Sequence, residues 1–152
     1  MIEARLPGVD RGPVLPAEQF MVRLHEEIYR AERYGIPMSL VLADVRSASG
    51  ERFLDFVAEQ LRRIDMGTRL AAGRYAICLP HTSRLGAEGV GRRLRAALDG
   101  AVIGVVTCPQ DGRTAEQLLD AADTLITVSS RTVRAARCTS YETSRQHPRR
   151  VL

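Results

Sequence analysis

The chain of 152 residues contains no lysine, and aromatic side chains make up only 5% of it. With so few rings, aliphatic residues must fill the core. Rings do not interleave with basic residues, as they do in nucleic-acid grooves, so nucleic acid is not an expected partner. The three cysteines, Cys78, Cys108 and Cys138, form no CxxC pair, and His25, His81 and His147 stand apart in sequence. That spacing signals neither a zinc site nor a disulfide framework. No apolar run approaches the ~18 residues that a membrane helix needs. Residues 1–10 carry no apolar stretch of the signal-peptide kind. No membrane partner and a cytoplasmic location are therefore expected.

What is present suits one globular domain: 45% hydrophobic and 26% charged residues in a length that fills one core. All 22 basic residues are arginine, and the net charge is +4. A guanidinium donates paired hydrogen bonds to phosphates and guanine edges, which an ammonium does not. The excess charge fits an anionic partner or a solvated basic surface.

Residues 1–16, with Pro7, Gly8, Gly12, Pro13 and Pro16, read as an irregular leader. A helix is predicted over 16–34, where Phe20, Leu24, Ile28 and Ala31 make one apolar face before Gly35 and Pro37 stop it. Residues 39–45 (SLVLADV) read as a buried strand ending near Asp44. A second helix is predicted over 51–65, with Phe53, Phe56, Val57, Leu61 and Ile64 inward. Residues 69–79 read as a hairpin turning at 71–74, where Gly73 supplies the flexibility. Cys78 reads as a small core residue of its second strand. A third helix over 84–98 and a strand over 101–107 follow. Thr114 and Gln117 form a capping-box pattern that opens a fourth helix, predicted to reach Ser130 with Leu118, Leu119, Ala122, Leu125 and Ile126 on it. The expected fold is α/β (α+β), a central mixed, mostly antiparallel sheet flanked by helices. The expected divisions are a leader at 1–16, one domain at 17–137 and a flexible, arginine-rich tail at 138–152.

Five segments, in order, resemble the GGDEF family of diguanylate cyclase domains: RAERYGIPMSLVLADV, GERFLDFVAEQLRRID, RLAAGRYAICLPHTS, AVIGVVTCPQDG and LLDAADTLI. Together they span about three-quarters of the chain, and their shared order is more specific than any one of them. The resemblance implies the nucleotide-cyclase-like fold of that family. Its active members join two GTP molecules into cyclic di-GMP across a dimer. Their Mg²⁺ is held by an aspartate ending the first strand and by an acid in the signature turn.

Asp44 matches the first of those metal positions. The signature turn, however, reads Ala71-Ala72-Gly73-Arg74-Tyr75, with Arg74 where the resemblance puts the metal-binding acid. A +1 and a +2 charge about 4 Å apart repel by roughly 8 kcal/mol at an effective dielectric of ~20. Two-metal phosphoryl chemistry needs carboxylates at such positions. Ala71 and Ala72 also replace glycines that let backbone approach phosphates. Arg46 stands for a second aspartate, and Ser130 lies near the place of a phosphate-contacting lysine. Glu51 remains where the "GD" aspartate of the family falls, but most of the preceding stretch, with its guanine-binding asparagine, is missing. A catalytically inactive domain with no cofactor is expected, Asp44 being a vestigial ligand position.

Many members of that family also bind product at an inhibitory RxxD motif, completed by an arginine on a later helix. Arg62-Arg63-Ile64-Asp65 stands at the family spacing before the turn, and Arg93 at the place of the later arginine. The resemblance makes Arg62, Asp65 and Arg93 candidate ligands of cyclic di-GMP, with the arginines on guanine O6 and N7 or on phosphates and the aspartate on guanine N1–H. The plainer alternative is that Asp65 caps or pairs locally. A ligand-independent protein-interaction or homodimerisation scaffold is the second functional reading. Direct phosphate binding by Arg74 and Arg46 is a third.

Overall fold

The segment 39–45 is apolar on both sides because its strand is buried on both sides. In the computed structural model, which describes residues 14–45 and 50–145 and their side chains as far as Arg131, this strand is β2 (Met38–Asp44). It lies between β4 (Arg74–Leu79) and β5 (Val102–Cys108), antiparallel to both. β3 (Met66–Ala71) pairs antiparallel with β4, and β1 (Val14–Leu15) adds a parallel edge to β3. The sheet order is β1-β3-β4-β2-β5, mixed and mostly antiparallel as expected.

Alternation along the strands divides the core in two. Met38, Leu40 and Leu42, with Ala76 and Cys78, face α1 (Ala17–Tyr34) and α4 (Ala115–Arg145). There they meet Phe20, Leu24 and Ile28 of α1, and Leu118, Ala122 and Ile126 of α4. Val41, Ala43, Tyr75, Ile77 and Leu79 face α2 (Gly50–Gln60) and α3 (Arg84–Ala97). The scarcity of rings is met as predicted, since only Phe20, Phe53, Phe56 and Tyr75 are aromatic among the buried residues described.

Cys78 and Cys108 are free and buried. Burial first, then nearby carboxylates (Glu27 and Asp65 for Cys78, Glu32 for Cys108), pushes both thiols above their ordinary range. Both are small core residues in the thiol form.

Three elements differ from the sequence reading. Val14–Leu15 form a strand where an irregular leader is expected, held by the Thr68 hydroxyl donating to the Leu15 carbonyl at 2.7 Å. α2 stops at Gln60 instead of Asp65, because the Asp65 carboxylate accepts the Arg62 N–H at 2.7 Å and turns the backbone out of the helix. Ile64 consequently points outward, 47% exposed, rather than into the core.

α4 continues past Ser130 to Arg145, passing position 137 without a break. Its sequence contains no glycine or proline that would end it. Leu125 sits on its exposed side. The capping box forms in shifted shape: the Gln117 N–H donates to Thr114 Oγ1 at 3.1 Å, while the Gln117 side chain accepts from the Arg113 N–H at 2.8 Å. Residues 1–13 of the leader and 146–152 of the tail lie outside the described residues, as do Arg46 and the serines that follow it.

Candidate functional site

The hairpin between β3 and β4 turns on Ala72 and Gly73. Gly73 has φ +72°, and a Cβ there would lie 2.4 Å from the Val45 carbonyl oxygen, so only glycine fits. The Val45 N–H donates to the Gly73 carbonyl at 2.7 Å and ties the turn to the end of β2. This tie fixes the register that sets Arg74 directly opposite Asp44. Strand alternation sends Arg74, like Ala76 and Cys78, to the α1/α4 face. Its guanidinium forms a short ion pair with Asp123 of α4, both partners being partly solvated. Tyr75 points to the opposite face, where it is buried and stacks on Phe53 with ring centroids 4.4 Å apart.

The donor set at this end of β2 does not suit a divalent cation. Asp44 stands opposite Arg74 across the ladder, and the acid that folding brings to Arg74, Asp123, is engaged by its guanidinium. Among the described residues, no three Asp, Glu, His or Cys side chains converge in a way that would hold a metal. Asp123 lies within the segment LLDAADTLI, where the sequence assigns it no role. Nothing local links it to Arg74, which lies 49 residues away.

The RxxD residues lie beyond α2. Asp65 is only 2% exposed, and its carboxylate accepts three hydrogen bonds from Arg62: backbone N–H at 2.7 Å, Nε at 3.2 Å and NH2 at 2.9 Å. The same NH2 donates to the Pro80 carbonyl at 2.8 Å and to Thr82 Oγ1 at 2.6 Å. Arg62 therefore ties the end of α2 to the loop between β4 and α3. That loop contains His81 in a left-handed conformation, φ +53°, which an unclamped histidine seldom adopts. The Thr82 carbonyl accepts from Ser39 Oγ at 2.8 Å, and the Thr82 N–H donates to the Pro37 carbonyl at 3.1 Å, anchoring the loop to β2.

Arg93 comes to the same region from α3, donating to Gln60 Oε1 at 3.3 Å, two residues before Arg62. It borders an open groove of about 560 Å³ between α2 and α3, lined also by Arg52, Phe56, Glu59 and Gln60 but by neither Arg62 nor Asp65. Of the sequence-predicted ligands, Arg62 lies just beyond α2, and Arg93 reaches Gln60 at the end of that helix. Asp65 is turned inward and bonded locally. Thr82 and Pro80 were not anticipated, because the loop carrying them joins the site only through folding.

No protein-family model matches the chain, and no curated protein matches it. Solved structures do. The GGDEF domain of YfiN (TpbB) from Pseudomonas aeruginosa superposes with a TM-score of 0.69 at 20% identity, over 78% of this chain and 91% of that one. The GGDEF domain of DgcB from Caulobacter crescentus, in complex with c-di-GMP, gives 0.64 at 13% identity, over 87% and 90%. The diguanylate cyclase SiaD from Pseudomonas aeruginosa, in complex with its activator SiaC, gives 0.64 at 25% identity, over 77% of this chain and 55% of that one.

Proposed function

We propose that this chain, which has the GGDEF-domain fold, acts in signalling by binding and not by making a cyclic dinucleotide. One observation carries the second half of that reading: Arg74 stands opposite Asp44 and is held by Asp123. A guanidinium fixed there opposes Mg²⁺ and donates where a metal site must accept. The same ion pair also occupies Asp123, so acceptors become free there only when Arg74 itself is replaced.

The binding half rests on Arg62, anchored just beyond α2, and on Arg93, which reaches Gln60 at the end of that helix. Arg62 keeps half its side chain in solvent while its other contacts hold it in place. An anchored Arg62 guanidinium, with the more loosely held Arg93 from α3, suits a dinucleotide phosphate. The likeness to DgcB, whose structure contains c-di-GMP, supports cyclic di-GMP as the candidate ligand. Isothermal titration of the purified protein with cyclic di-GMP is expected to give saturable heat, abolished by Arg62→Ala and weakened several-fold by Arg93→Ala, a loss of about 1–2 kcal/mol for one charge-assisted contact. Absence of heat at tens of micromolar ligand would end this half.

A second reading, a ligand-independent interaction module, is favoured by the inward carboxylate of Asp65. The likeness to SiaD, seen with a protein activator, supports a protein partner. Partners captured equally with and without cyclic di-GMP would select it. Among the described residues no helix is long and apolar enough to cross a membrane.

A further inference from the structure

We propose that Asp65 anchors Arg62 instead of reading a guanine, so that the surface recognises the phosphodiester of a cyclic dinucleotide and not its base. This rests on the binding half of the reading above and changes what is recognised. A carboxylate that reads guanine must offer lone pairs to the base N1–H and amino group. Asp65 is 2% exposed, and both of its oxygens already accept from Arg62.

The guanidinium is constrained in the same way. It has two edges that present paired N–H donors, Nε with NH2 and NH1 with NH2. Both include NH2. Here the two NH2 protons serve three acceptors, Asp65 Oδ1, Pro80 O and Thr82 Oγ1, so neither edge is available for guanine O6 and N7 together. NH1, which has no partner among the described residues, remains on a side chain 51% exposed. A single charged nitrogen suits a phosphate oxygen. Arg93 adds a second charge from α3, where its contact with Gln60 is long and easily exchanged.

Thr82 then becomes the positioning residue. Its hydroxyl accepts from Arg62 NH2 and donates to the Pro80 carbonyl at 2.9 Å, so it orients the guanidinium without touching ligand. Thr82→Val keeps the shape and removes that acceptor.

The test compares cyclic di-GMP with cyclic di-AMP by titration into the full chain. The two affinities are expected to agree within about threefold, and Thr82→Val to weaken both alike by roughly fivefold, because the guanidinium keeps its Asp65 and Pro80 contacts when the Thr82 acceptor is lost. A preference for cyclic di-GMP of about tenfold or more that Asp65→Asn erases would overturn the proposal, since that is the discrimination a base-reading contact supplies. Heat from neither dinucleotide would overturn it differently, by removing the binding reading beneath it. The anchor has its own readout in the ligand-free protein. The Arg62 Nε–H resonance is expected to be protected from solvent exchange and to lose protection in Asp65→Asn. Fast exchange in the unsubstituted protein would refute the anchor whatever the ligand does.

Discussion

Asp65→Ala is expected to lower the unfolding free energy by about 2–4 kcal/mol, seen as a lower urea midpoint at unchanged slope. The carboxylate is buried and accepts three hydrogen bonds, all from one arginine. Its removal leaves the Arg62 N–H without its acceptor at the end of α2 and frees the guanidinium from the Pro80–Thr82 loop. That loop holds His81 in a strained conformation, which then loses one of its ties. Because Arg62 is half exposed, water recovers part of its charge, and the loss belongs in the lower part of the range. Asp65→Asn retains one acceptor oxygen and should lose less. A change of under about 0.5 kcal/mol, the level of an ordinary surface substitution, would mean that the pair is not structural.

Arg74→Glu is expected to create a response to divalent cations that the unsubstituted protein does not have. The substitution places a carboxylate opposite Asp44 and releases Asp123 from its ion pair. Without metal, the like charges across the ladder should destabilise the variant by about 0.2–1 kcal/mol. Millimolar Mg²⁺ or Ca²⁺ should reverse this, contributing about 1.4 kcal/mol at tenfold excess over its Kd and raising Tm by several degrees. Carboxylate oxygens are the ligands these hard cations prefer. A cation-dependent Tm in the unsubstituted protein, or none in the variant, would contradict the assigned role of Arg74.

Much of the fold was legible because its pattern is local. The face formed by Phe20, Leu24 and Ile28, stopped by Gly35, needs only helical spacing and a left-handed cap, and α1 ends with Gly35 at φ +65°. The run at 39–45 announces a strand covered on both sides, and β2 is such a strand. The end of α2 was not legible, since helical spacing continues through Ile64. A side chain competing for a backbone N–H decides the matter there, not periodicity. The two-residue β1 was hidden because so short a strand carries no alternation, and its place depends on Gly67 and Thr68, 53 residues further on.

The candidate site divides the same way. The resemblance to the GGDEF family pointed to Asp44, Arg74, Arg62, Asp65 and Arg93. It did not reveal that Arg74 is engaged by Asp123, or that Asp65 faces inward onto Arg62 with Thr82 as a further acceptor. Those partners come from other elements and meet only when the sheet is assembled. The identity of the site residues is thus written in the sequence, while tertiary contacts determine which of their atoms remain available to a ligand.

Incubation of the purified protein with GTP and Mg²⁺, followed by chromatographic separation of the nucleotides, tests the proposed absence of cyclase chemistry most directly. The expected result is unchanged GTP with no cyclic dinucleotide above a protein-free control, at any protein concentration that would favour a dimer. A cyclic di-GMP peak that grows with time and disappears in Asp44→Ala would contradict it.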